Sequence, residues 1–93
     1  MTETEIKIEA VCENLKKLLF EKNKKYGDSA LNPINIFAKT NTGLDKLLVR
    51  LDDKISRINN SEELRKNDVW DMLGYLVLLI ISKEWIQNND LKE

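Results

Sequence analysis

The 93-residue chain carries fifteen Lys and Arg side chains against sixteen Asp and Glu, with no histidine and a net charge of −1. That balance supplies no basic field for a long DNA or RNA partner, so a nucleotide-sized ligand has to be recognised by local charge. Without histidine, and with Cys12 as its single cysteine, one chain can build neither a Ser-His triad, nor a Cys/His zinc site, nor an internal disulfide.

The length implies one domain over residues 1–93, with a core over about 4–87. A chain this short buries only about 60–65% of its unfolded surface, so association with further copies would help it. The apolar run Met72 to Ile81 is shorter than the roughly 20 residues that cross a bilayer, and the acidic start is unlike a signal peptide. A cytoplasmic protein with no membrane partner is expected.

In chain order, Thr4 to Tyr26 reads as a first helix, because Ile8, Val11, Leu15, Leu18, Leu19 and Tyr26 keep helical spacing. Gly27 offers the left-handed residue on which a helix stops. Asn32-Pro33 is a helix start, and a short helix is expected over Pro33 to Ala38. Thr40-Asn41-Thr42-Gly43 supplies the cap of a second long helix, Leu44 to about Ile58, whose stripe is Leu44, Leu47, Leu48, Leu51, Ile55 and Ile58. Asn59-Asn60-Ser61 breaks it, and Ser61-Glu62-Glu63 can start another turn. A third helix is expected over about Lys66 to Gln87. No alternating strand pattern or hairpin turn is present. The expected fold is all-α: three long helices with a short helix in the first loop, completed by oligomerisation. The third helix is apolar on nearly every side and so needs neighbours all round.

Three constellations bear on chemistry. Asp68 and Asp71 lie three apart, close enough on a helix to bind Mg²⁺. Equally, Asn67 or Asp68 makes an N-cap, and Asp71 suits the helix dipole. Arg50, Asp53, Lys54 and Arg57 share one helical face; it can grip phosphate, with Asp53 sharing a metal, or be a solvated face with ion pairs. The loop around Lys25, Tyr26, Asp28, Ser29 and Asn32 can stack a base and cradle phosphate, yet its residues are also ordinary turn vocabulary. Trp70 and Trp85 suit the core or a seam between subunits, and Cys12 suits a small apolar filler.

The runs KYGDSALNP, RLDDKISRI and DVWDMLGYLVLL together resemble a family of small phage and prophage proteins associated with nucleotide modification. The likeness covers about residues 20 to 83. More distantly, Asp68, Asp71 and Tyr75 are similar to the last metal-binding helix of the MazG-like all-α nucleoside triphosphate pyrophosphohydrolases. That resemblance implies Mg²⁺ held by acidic pairs on two helices, bridging a phosphate chain and helping to activate water. Here the second helix departs from the pattern, with Arg50-x-x-Asp53 where two acids are expected.

The resemblance thus implies a phage-type protein of the host cytoplasm that binds a (deoxy)nucleoside phosphate and hydrolyses it with Mg²⁺. Asp53, Asp68 and Asp71 would be the catalytic metal ligands. Lys25, Tyr26, Asp28, Ser29, Asn32, Arg50, Lys54, Arg57 and Tyr75 would hold the nucleotide. The alternatives are a binding-only protein, such as a sponge for a cyclic nucleotide immune signal, and a helical interaction protein without ligand.

Overall fold

The computed structural model describes residues 1–27, 31 and 42–87, and among these every regular element is helical. Helix α1 spans Glu3–Tyr26, α2 spans Gly43–Asn60 and α3 spans Lys66–Ser82. The expected helix over Pro33 to Ala38 lies outside the described residues.

Local chemistry sets most of the boundaries. At both Thr2 and Thr42 the hydroxyl accepts from the backbone N–H three residues on, and the acid there (Glu5 or Asp45) accepts in return from the threonine N–H. These reciprocal capping boxes satisfy N–H groups that a helix start leaves without partners. The Thr2 backbone donor holds the Glu5 carboxyl below its ordinary pKa. Gly27 closes α1 at φ 60°, and its N–H donates to the Asn23 carbonyl. After α2 the Ser61 hydroxyl donates to the Glu63 carbonyl at 2.6 Å, a bend instead of the further helical turn expected there.

Two expectations about α3 need correction. Its N-cap is Arg65, which makes no side-chain capping bond, so Asp68 is inside the first turn and neither it nor Asn67 is the cap. The helix also ends at Ser82, five residues short of Gln87. The Trp85 N–H donates to the Ile80 carbonyl and the Glu84 N–H to that of Ile81. This is a Schellman closure, with Glu84 at φ 60° in the place that glycine usually takes.

The three helices run up, down and up. Arg50 meets Tyr75 while Lys54 meets Asp71 and Asp68, so α2 and α3 are antiparallel. Asn14 shares a groove with Lys66 and Asn67, Leu19 lies against Gly74, and Tyr26 shares a cleft with Leu78, so α1 and α3 are parallel. α3 is the middle layer: it packs closely on α2 and sparsely on α1, and α1 and α2 do not pack together among the described residues.

Burial is thin. Among the described apolar residues only Leu47 (1% exposed) and Leu51 (9%) are buried. On α1, Leu15, Leu18 and Leu19 are half-buried, whereas Ile8 and Val11 of the same stripe are exposed because α3 begins only opposite Asn14. The buried face of α2 is Leu47, Leu51 and Lys54, which leaves Leu48 and Ile55 outside. It is therefore rotated from the all-apolar stripe toward the charged one. Lys54 is seven residues from Leu47, about two turns, which sets it on the inner face and not on a solvated one.

Candidate functional site

The site grows from the α2–α3 contact. Lys54 is 8% exposed and Asp68 6%. The Lys54 ammonium donates to Asp68 Oδ1 at 3.4 Å and lies 2.9 Å from Asp71 Oδ2. From α1, Lys22 Nζ donates to the other oxygen, Asp71 Oδ1, at 3.1 Å. One carboxylate thus ties all three helices together. No buried side-chain nitrogen or oxygen among the described residues lacks a hydrogen-bond partner.

The electrostatics follow from this arrangement. The hydrogen bond to Asp71 raises the Lys54 pKa above its ordinary 10.5, against the opposing effect of burial. Burial pushes the Asp71 carboxyl upward, but the hydrogen bonds from Lys54 and Lys22, together with their charges, outweigh it. Its pKa falls below the ordinary 3.8. Both groups are held in their charged forms.

Above this cluster a cleft of about 410 Å³ opens between α1 and α3. Leu18, Leu19, Lys22, Asn23 and Tyr26 line it from α1, Arg50 from α2, and Trp70, Asp71, Gly74, Tyr75 and Leu78 from α3. Three aromatic rings, two cations and an amide therefore face one space with apolar walls. The Arg50 guanidinium lies 5.9 Å from the centre of the Tyr75 ring and makes no ion pair among the described residues. Gly74 permits the close approach of α1, since a Cβ there would meet Leu19 Cδ2 at 3.0 Å.

Four residues singled out from the sequence meet in this cleft: Tyr26, Arg50, Asp71 and Tyr75. Lys54 and Asp68 lie beneath it, against Asp71. Lys25 is exposed, with its ammonium 5.6 Å from the centre of the Tyr26 ring. Asp53 and Arg57 are exposed on α2. Asp28, Ser29 and Asn32 lie outside the described residues. Asp53 does not join Asp68 and Asp71 in a metal-binding group, and no three acids or cysteines among the described residues do.

Sequence reasoning missed Lys22, Asn23, Gly74 and the inward-facing Trp70 as lining residues. For Lys22 a signal was available: it continues the stripe Leu15, Leu18, Leu19 as a cation in an apolar series. A charge at such a position has to find a partner across the interface. No helix among the described residues is long and apolar enough to cross a membrane. Compared with known protein families, curated proteins and solved structures, the chain shows no significant match.

Proposed function

We propose that the chain binds a nucleotide in the α1–α3 cleft, the base against Tyr26, Trp70 and Tyr75 and the phosphate against Lys22 and Arg50. The observation that carries this reading is the single cleft that unites these rings and cations. Its volume is within the range of small-molecule sites, roughly 300–1,000 Å³. Aromatic faces stack on any base, and a guanidinium fork suits phosphate oxygens. The likeness to nucleotide-handling phage proteins points the same way.

The Mg²⁺ ion that the MazG-like resemblance implies does not fit the residues present. Its carboxylates, Asp68 and Asp71, already hold the Lys54 ammonium, and Asp53 does not complete a set with them. The reading is therefore capture without turnover, for which mono-, di- and cyclic nucleotides are all candidates; a phage sponge for a cyclic nucleotide is one form of it.

Calorimetric titration with a nucleotide panel tests the proposal. A ligand at a hundred times its Kd should stabilise the fold by about 2.7 kcal/mol. Arg50→Ala should weaken binding about tenfold or more through loss of a charged hydrogen bond, and Tyr75→Ala about tenfold through loss of stacking. No heat and no thermal shift with any nucleotide would overturn it. Release of phosphate or pyrophosphate from a nucleoside triphosphate with Mg²⁺ would replace it by the enzymatic reading.

We also propose that copies of the chain associate. Ile8 and Val11 at 57% and 45% exposure, with Leu76, Ile80 and Ile81 of α3 also exposed, leave apolar surface that the described residues of one copy do not cover. Sedimentation should find a dimer or larger species that Val11→Lys dissociates; a wild-type monomer at micromolar concentration would refute this.

A further inference from the structure

The contact between Lys54 and the two acids of α3 has a meaning beyond packing. Asp68 and Asp71 are one helical turn apart with their oxygens converging, an arrangement that two carboxylates use to hold a hard divalent cation. The space between them is taken by a side chain of α2: Lys54 Nζ stands 2.9 Å from Asp71 Oδ2 and 3.4 Å from Asp68 Oδ1. The remaining Asp71 oxygen is bonded to Lys22 at 3.1 Å. Two lysines thus face two carboxylates, and the cluster is electrically balanced.

A divalent ion in that space would stand against the Lys54 ammonium at a separation where like charges repel strongly in a partly buried setting. Mg²⁺ can complete its octahedron with water around one or two carboxylates, so it is the ammonium between Asp68 and Asp71, and not the number of acids, that closes the pair. Lys54 cannot easily swing aside. It leaves the inner face of α2 next to Leu51, 8% exposed, with its stem packed in the α2–α3 layer. Moving it would leave Asp68, equally buried, without a cation.

We infer that Lys54 is the protein's own cation between Asp68 and Asp71, standing where a divalent metal would sit and closing the pair to metals. One consequence, which rests on the nucleotide reading, concerns Asp71 at the edge of the cleft. With its charge already balanced, an anionic ligand can approach without a metal ion as mediator.

Electron paramagnetic resonance of added Mn²⁺ with the full chain tests the inference independently of any nucleotide. Wild-type protein should leave millimolar Mn²⁺ in its free aqueous form. Lys54→Met should take up one Mn²⁺ at least about tenfold more tightly than wild type, because two carboxylates without a cation are ordinary ligands of hard divalent ions. Adding Asp71→Asn should abolish that uptake. Lys54→Gln, which keeps a neutral donor toward the acids, serves as the second variant and should also gain Mn²⁺.

Wild-type uptake of Mn²⁺ that Asp71→Asn removes would overturn the inference. So would a folded Lys54→Met or Lys54→Gln protein that binds no more Mn²⁺ than wild type. If neither variant folds, the wild-type titration decides alone, free Mn²⁺ supporting the inference and bound Mn²⁺ refuting it. Failure of every nucleotide to bind would leave these results standing and would overturn only the ligand reading.

Discussion

Replacing Lys54 by methionine isolates the charge from the packing, because the methionine stem fills nearly the same volume between α2 and α3. At an effective dielectric of about 20, the contacts at 2.9 Å and 3.4 Å represent gross attractions of about 5–6 kcal/mol each, much of which desolvation offsets. Removing one partner of a buried pair typically costs about 3–5 kcal/mol, since the other charge remains buried and uncompensated. Asp71 is partly exposed and keeps Lys22, whereas Asp68 loses its only ion-pair partner among the described residues. The lower end, about 3 kcal/mol, is therefore expected. For a domain of this size that is a fall of roughly 15 °C in Tm. Urea unfolding followed by helical circular dichroism measures it, and adding Asp68→Asn should restore about half, because the stranded charge is then gone. A loss below about 1 kcal/mol in Lys54→Met would refute the reasoning, since so small a value belongs to a solvent-screened pair.

Other outcomes follow from the same geometry. Asp71 has a folded pKa below 3.8, so its stabilisation is present above that value and disappears as pH falls through the folded one; Lys54, raised above 10.5, contributes below that value and is lost as pH rises through its folded pKa. Urea midpoints across pH should thus hold level on this account from about pH 4 to 10, and Asp71→Asn should flatten the acid limb. Glu84→Gly should stabilise the fold by about 1 kcal/mol, because the left-handed φ of 60° costs a side chain that glycine lacks; an unchanged urea midpoint would show that the Schellman closure does not form. Gly74→Leu should fill the cleft, displace Leu19, whose Cδ2 even a Cβ at this position would meet at 3.0 Å, cost about 1–3 kcal/mol by overpacking and abolish ligand binding; calorimetric binding at wild-type strength would place the ligand elsewhere.

The three long helices were legible in the sequence, α1 and α2 through caps and periodicity and α3 through its long apolar run. Thr42 with Asp45 and Gly27 after Tyr26 each give a local instruction that the fold obeys, and the α2 leucines announce a helix although its buried face is rotated to take in Lys54 and leave Leu48 outside. The end of α3 was hidden: no glycine or proline stands after Ser82, and the closure runs through a glutamate in a conformation it rarely adopts. The start of α3 at Lys66 was legible, but its cap was not, since Asn67 and Asp68 are good caps that sit inside the first turn instead. Asp68 is drawn into the first turn, facing α2, by an ammonium fourteen residues away. The candidate site was half legible. Aromatic and cationic residues announced themselves, but that Lys54 turns inward and Lys22 crosses from α1 depends on how helices rotate against one another, which a one-dimensional pattern does not specify.

The same rotation bears on why one copy leaves so much of its apolar surface open. Helix α1 has 24 residues and α3 has 17, about 36 Å against 26 Å at 1.5 Å per residue. Because α3 begins opposite Asn14, the first eleven residues of α1, a length of about 17 Å, run past it, and among the described residues no other helix packs on them. A helical extension of that length gains little from propensity alone, and its capping box can stabilise it only by a kcal/mol or so. Ile8 and Val11 nonetheless continue the stripe that Leu15, Leu18 and Leu19 lay on α3, and they stay exposed. Among the described residues Leu47 and Leu51 are the only buried apolar side chains, and the Lys22–Asp71–Lys54 cluster is a specific but small link between the three helices. The proposed association would cover the overhang and brace the helix that carries Lys22, Asn23 and Tyr26 to the cleft, making assembly and the shape of the binding site parts of one equilibrium.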